Sequence, residues 1–144
     1  MNPDPYDLDR FVRAQDPIYE RVLSELRAGV KRSHWMWFIF PQIAGLGSSS
    51  MAQLYAIRSL DEARAYLAHP ALGPRLVECV SLVNAVSSRD ISQILGYPDD
   101  LKFRSSMTLF LLAAPEEAVF AAALRKYYNS QPDPMTLTLL GGKG

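Results

Sequence analysis

The chain has 144 residues, 49% of them hydrophobic, with 15 Lys plus Arg balanced by 15 Asp plus Glu and a single cysteine. That size suits one domain with one core, 1–144, burying roughly 70% of the surface its unfolded form exposes. Balanced charge without a basic stripe argues against nucleic acid as a partner, although a small phosphate ligand needs only a few donors.

The start, MNPDPYDLDR, is acidic and proline-rich with no apolar leader, and no apolar run approaches the roughly 18 residues of a membrane span, so a soluble, cytoplasmic protein is expected. Asp7 can cap a first short helix, in which Leu8, Phe11 and Val12 recur at helical spacing. Asp16-Pro17 is a second start signal, and Ile18, Val22, Leu23 and Leu26 form a stripe ending at Gly29, which predicts a helix from about 17 to 28. Periodicity cannot separate helix from strand over the almost wholly apolar 34–40. Helical neighbours, the lack of partner strands and Pro41 as a stop favour a helix capped by Ser33.

One of Ser48 to Ser50 caps a helix to about Ile57, and Ser59 with Glu62 makes a capping box for the next, which ends at His69-Pro70. Gly73-Pro74 begins a long helix to about Val86. Leu76, Val77, Val80, Val83 and Val86 share one side of it, and Cys79 and Leu82 widen the apolar face, so it is the expected central helix. Asp90 starts a short turn of helix that Gly96 closes, and Asp99 or Asp100 caps another from about 101 to 113. Glu116 and Glu117 open the following helix and Arg125-Lys126 close it, as the helix dipole favours. Asp133-Pro134 starts a terminal one. The pattern predicts an all-α, compact multihelical single domain with about seven to nine helices around a central buried helix and a disordered tail from about 141. Cys79 reads as a small buried hydrophobe, and His34, His69 and Cys79 lack zinc-ligand spacing, so no metal site is expected.

The unusual chemistry is concentrated in 31–50. Gly45-Leu46-Gly47-Ser48-Ser49-Ser50 ahead of a helix offers N–H groups, hydroxyls and partial positive charge to an anion, although serines in this place also serve as plain caps. His34, beside Lys31 and Arg32, could act as a neutral base; a histidine bonded to backbone at a helix start fits as well. Trp35 and Trp37 could stack on a ring, but large aromatics mainly supply buried area. A second polar cluster, 98–106, holds Asp99, Lys102 and Ser106 within helical i, i+3 and i+4 steps, with Asp100 and Ser105 beside them, where a cap and a surface ion pair are the simpler account. Polar groups beside an apolar stretch are costly to bury unpaired, so the two clusters are expected to face one cavity. The candidate catalytic residues are then His34, Asp100 and Lys102. The candidate ligand-binding residues are Trp35, Trp37, Gln42, Gly45, Gly47, Ser48, Ser49, Ser105 and Ser106.

Four long motifs, DLDRFVRAQ at 7–15, HWMWFIFPQIAGLGSS at 34–49, YLAHPALGPRL at 66–76 and DDLKFRSSMTLF at 99–110, give the chain a resemblance to a known family. It resembles the bacterial and fungal family called domain of unknown function 1810, some of whose members carry the label calpastatin. The resemblance implies a multihelical domain and carries no catalytic residue with it. Calpastatin is a long disordered repeat protein, unlike this apolar-rich chain, so protease inhibition is not expected.

The leading expectation is a domain that binds a small anionic or nucleotide-like ligand, with hydrolytic or N-glycosidic activity on ADP-ribose-like compounds as its enzymatic variant. That variant needs a carboxylate such as Asp99, Asp100 or Asp133. The alternatives are a protein-interaction module using the aromatic stretch 34–40 and a structural helical domain without a ligand. The sequence names no cofactor, reaction or oligomeric state.

Overall fold

A computed structural model describes residues 3–141, and all regular structure within them is helical apart from one isolated parallel bridge between Ile43 and Ile57. The helices are α1 (Asp9–Gln15), α2 (Tyr19–Arg27), α3 (Met36–Ile39), α4 (Ser50–Leu54), α5 (Leu60–Ala68), α6 (Leu72–Ala85), α7 (Ile91–Leu95), α8 (Asp99–Ala113), α9 (Ala118–Tyr128) and α10 (Pro134–Leu139). This all-α domain has ten helices among the described residues against the seven to nine expected; each follows a start read in the sequence, and α3, α4 and α7 are single turns of four or five residues. Apart from Gly141, the tail expected to be disordered lies outside the described residues. No helix among the described residues is long and apolar enough to cross a membrane.

Several start signals act as read. Ser49 accepts from the Ala52 N–H, Asp133 accepts from the Thr136 N–H, and Asp90 with Gln93 forms a reciprocal capping box. Others are redirected by competing partners, near or distant in the chain. Asp4 rather than Asp7 receives the free N–H groups of Leu8 and Asp9. Ser59 accepts from the Glu62 N–H, but Glu62 turns its carboxylate to the Arg58 N–H and to Arg10 instead of closing a box. Arg10 also donates to the carbonyls of Leu54 and Ala56, so a nearly buried cation pins α1 to the junction of α4 and α5.

Burial is shared between two helices. α6 packs against α2, α5 and α9, while α8 packs against α5, α7, α9 and α10. The six consecutive residues from Ser105 to Phe110 are all buried, so α8 is enclosed on every side there and is more central than α6. Phe40, Phe103, Phe110 and Phe120 are each fully buried and form edge and stacked pairs along this axis.

The α5–α6 corner is tight enough to dictate a glycine. A Cβ built on Gly73 would lie 2.0 Å from the Leu67 carbonyl oxygen. Alanine in a helix ordinarily gains about 1 kcal/mol over glycine. Here the obstacle is backbone that cannot rotate away, and overpacking of that kind costs about 3 kcal/mol, so the clash decides the sign. Gly73→Ala is therefore expected to lower the urea midpoint at unchanged slope.

Candidate functional site

The stretch following α2 is held by one carboxylate. Glu25, 8% exposed, accepts at Oε1 from the N–H groups of Arg32 (2.8 Å) and Ser33 (3.1 Å) and from the Trp35 indole N–H (2.9 Å). Its Oε2 accepts from the Ser33 hydroxyl. Burial pushes this carboxyl up, but the Ser33, Arg32 and Trp35 donors outweigh it and hold the group down at about 2. Ser33 therefore serves Glu25 and does not cap α3, which starts at Met36 without a side-chain cap.

This clasp sets which aromatics reach the surface. Trp35, Met36, Phe38, Ile39 and Phe40 are all buried, and Trp37 alone in that run is partly exposed. Lys102 Nζ lies 5.3 Å from the Trp37 ring centroid. Lys102 also lies 3.5 Å from Asp99 Oδ1, while Asp99 Oδ2 pairs with Lys31 at 2.9 Å. Asp99 thus ties the start of α8 to the segment before α3.

Beyond Pro41 the Ile43–Ile57 bridge fixes the next segment. The Ala44 N–H donates to the Ile57 carbonyl at 2.7 Å and the Ile57 N–H to the Gln42 carbonyl at 2.9 Å. Side chains alternate across extended backbone, so Ile43 and Ile57 enter the core while Gln42, Ala44 and Arg58 are directed to the other face. The glycines that follow have local reasons. Gly45 sits at φ +105°, and a Cβ on Gly47 would lie 2.6 Å from that of Ala52.

Two cavities meet at this segment. The larger, about 460 Å³, is bordered by Trp37, Gln42 and the 47–49 loop on one side and by Lys102, Ser105 and Asp133 on the other. The smaller, about 190 Å³, shares Trp37, Gln42, Gly47 and Ala52 with it and adds Gly45, Tyr55 and Arg58.

Trp37, Gln42, Gly47, Ser48, Ser49, Lys102 and Ser105 are thus brought together at the larger cavity, and Gly45 at the smaller. Four other candidates lie apart. His34 is exposed and borders neither cavity, and Trp35 is a core residue bonded to Glu25. Asp100 accepts from its neighbour's N–H at Oδ1 and borders neither cavity, while its carbonyl accepts from the Tyr128 hydroxyl. Ser106 is fully buried, and its hydroxyl has no partner among the described residues.

Arg58 and Tyr55 went unnoticed in the sequence. Arg58 is an isolated cation between two helices, and only the pairing of residues 43 and 57 carries it to Gln42. No group of three or more His, Cys, Asp and Glu residues able to hold a metal ion occurs among the described residues.

The helices and this two-lobed cleft define an all-α domain with one shared aromatic wall. The chain belongs to the family described as "Protein of unknown function (DUF1810)", which matches residues 5–140. Its fold is similar to the crystal structure of the conserved hypothetical protein Rv1873 from Mycobacterium tuberculosis, with a TM-score of 0.95 and 58% identity over 96% of this chain and 99% of that one. No curated protein matches the chain.

Proposed function

We propose that the chain binds a small anionic, ring-bearing molecule of nucleotide-like chemistry in the larger cavity. The observation that carries this reading is Trp37. It is the partly exposed member of a run in which Trp35, Met36, Phe38, Ile39 and Phe40 are buried, with Lys102 over its ring and the Gly-Ser loop bordering the same cavity. A cavity of this size falls within the range of small-molecule sites, roughly 300–1,000 Å³, and an apolar wall with a few convergent polar groups is their usual makeup. The interaction-module reading is less favoured, since Trp35, Phe38 and Phe40 are at most 8% exposed and offer no aromatic patch.

The hydrolytic variant of this reading needs a carboxylate at the ligand. Asp133 borders the larger cavity; its Oδ2 accepts from Ser105 and from the Thr136 N–H and hydroxyl, and its Oδ1 accepts no hydrogen bond from the described residues. Asp99 is committed to two lysines.

A thermal-shift series against nucleotides and phosphorylated metabolites tests the binding reading. A ligand at 100 times its dissociation constant stabilises the fold by about 2.7 kcal/mol, which for a chain of this size raises the melting temperature by about 8 °C. Trp37→Ala should abolish the shift, measured against the variant's own unliganded melting temperature, which falls because Trp37 also packs on the core. If no compound shifts the wild-type protein, the reading fails.

A further inference from the structure

The cations around the larger cavity are largely committed. Lys102 faces Asp99, and Arg104 donates to the carbonyls of Gln131 and Pro132. The smaller cavity differs. The Arg58 guanidinium makes no hydrogen bond or ion pair among the described residues, and only its backbone N–H is engaged, by Glu62. The Gln42 amide and the Tyr55 hydroxyl make none either, although the Tyr55 ring is held against Phe11 and Phe38 at 5.7 and 5.3 Å. The backbone N–H groups of Gly45 and Gly47 have no acceptor among the described residues. No acidic residue borders this cavity. Its wall therefore gathers a positive charge and several donors without an acidic residue of its own, although Arg58 is exposed and also borders the neighbouring clefts of Asp7, Glu62 and Asp61; the Ile43–Ile57 bridge holds Gln42 and Arg58 on one face.

Resting on the reading of the larger cavity as a ligand site, we propose that the smaller cavity is its phosphate subsite, in which Arg58, Gln42 and Tyr55 hold the phosphate monoester end of a molecule whose ring lies against Trp37. A guanidinium fork, an amide N–H and a phenolic O–H on one cavity wall supply enough donors for the three oxygens of a phosphate, more than a planar carboxylate needs. The volume agrees. A phosphoryl group occupies the room of roughly two or three waters at about 30 Å³ each, so a cavity of about 190 Å³ takes it and its ester link. The larger cavity has the room for the ring, and Trp37, which borders both, is where the two parts join.

The test is calorimetric titration of the full chain with AMP, adenosine and benzoate at fixed ionic strength. Wild type is compared with Arg58→Ala, Arg58→Lys and, as a surface-charge control, Arg125→Ala. Wild type should bind AMP about tenfold or more tighter than adenosine, the worth of a hydrogen bond to a charged group. Arg58→Ala should bring AMP to the adenosine affinity without changing adenosine binding or the unliganded melting temperature. Arg58→Lys should restore part of the loss, and Arg125→Ala should match wild type. If AMP remains preferred in Arg58→Ala, the phosphate is read elsewhere and the subsite assignment falls while the larger-cavity reading stands. Equal affinity for AMP and adenosine in wild type has the same meaning. Benzoate bound more tightly than AMP, with the preference lost in Arg58→Ala, would overturn the phosphate class. Binding of neither AMP nor adenosine overturns both readings.

Discussion

Val80→Asp is expected to leave the chain unfolded in ordinary buffer. Val80 is fully buried on α6, the helix that packs against α2, α5 and α9. The substitution forfeits about 2 kcal/mol of apolar burial and places a carboxyl among side chains that offer it no donor, a further cost of several kcal/mol whether it stays charged or takes up a proton. Domains of ordinary stability have about 5–15 kcal/mol in hand, so a total near 5 kcal/mol or more removes most of it. Far-UV dichroism of the soluble fraction checks this, with Val77→Asp as the contrast. Val77 lies on the same helix but is only half-buried and borders a surface cleft, so its variant should lose about 1 kcal/mol and keep its helical spectrum. A cooperatively folded Val80→Asp protein would show that the α6 face yields to solvent.

Local signals survive in the structure where the partner lies within four residues. Ser49, Asp90 with Gln93, and Asp133 cap the helices they precede because the N–H groups they serve are the nearest ones. The misreadings arise where another group competes better, close by as Asp4 does in place of Asp7, or further along the chain. Ser33 is drawn from α3 to Glu25, and Glu62 is drawn from its own cap to Arg10, 52 residues away. The burial of α8 was hidden by Ser105, Ser106 and Thr108, polar residues that break up its apolar pattern. Ser105 and Thr108 are buried with hydroxyls that return to carbonyls one turn back, at Leu101 and Arg104. The candidate site divides in the same way. Trp37, Gln42 and the Gly-Ser loop stand out by composition, and their convergence with Lys102 and Ser105 follows from the cost of burying polar groups. Arg58 has no local motif, and only the bridge at Ile57 brings it to the cleft.

Glu25→Ala should destabilise the fold by about 3–5 kcal/mol, because it strips the acceptor from two backbone N–H groups, a hydroxyl and a buried indole at once. Glu25→Gln should cost roughly half as much, since its one carbonyl oxygen can keep the three donors at Oε1 and loses the charge. The pH dependence separates charge from geometry. The carboxyl sits at about 2 in the fold against an ordinary 4.5, so the folded state favours the ionised form. Its contribution is complete above pH 4.5 and is lost as pH falls from 4.5 toward 2, a span equivalent to about 3 kcal/mol. Urea titrations at pH 7, 4 and 2.5 should show the wild-type midpoint falling on the acid side and the Glu25→Gln midpoint falling less. Parallel decline in both proteins would mean that other carboxylates govern the acid limb. The clasp also bears on the cleft, because Glu25 fixes Ser33 and Trp35 and through them the turn that presents Trp37. Glu25→Gln, which keeps that turn, should retain ligand-induced thermal shifts at pH 7. Glu25→Ala should lose them even at temperatures where it remains folded, because the ring against which the ligand rests is no longer held in place.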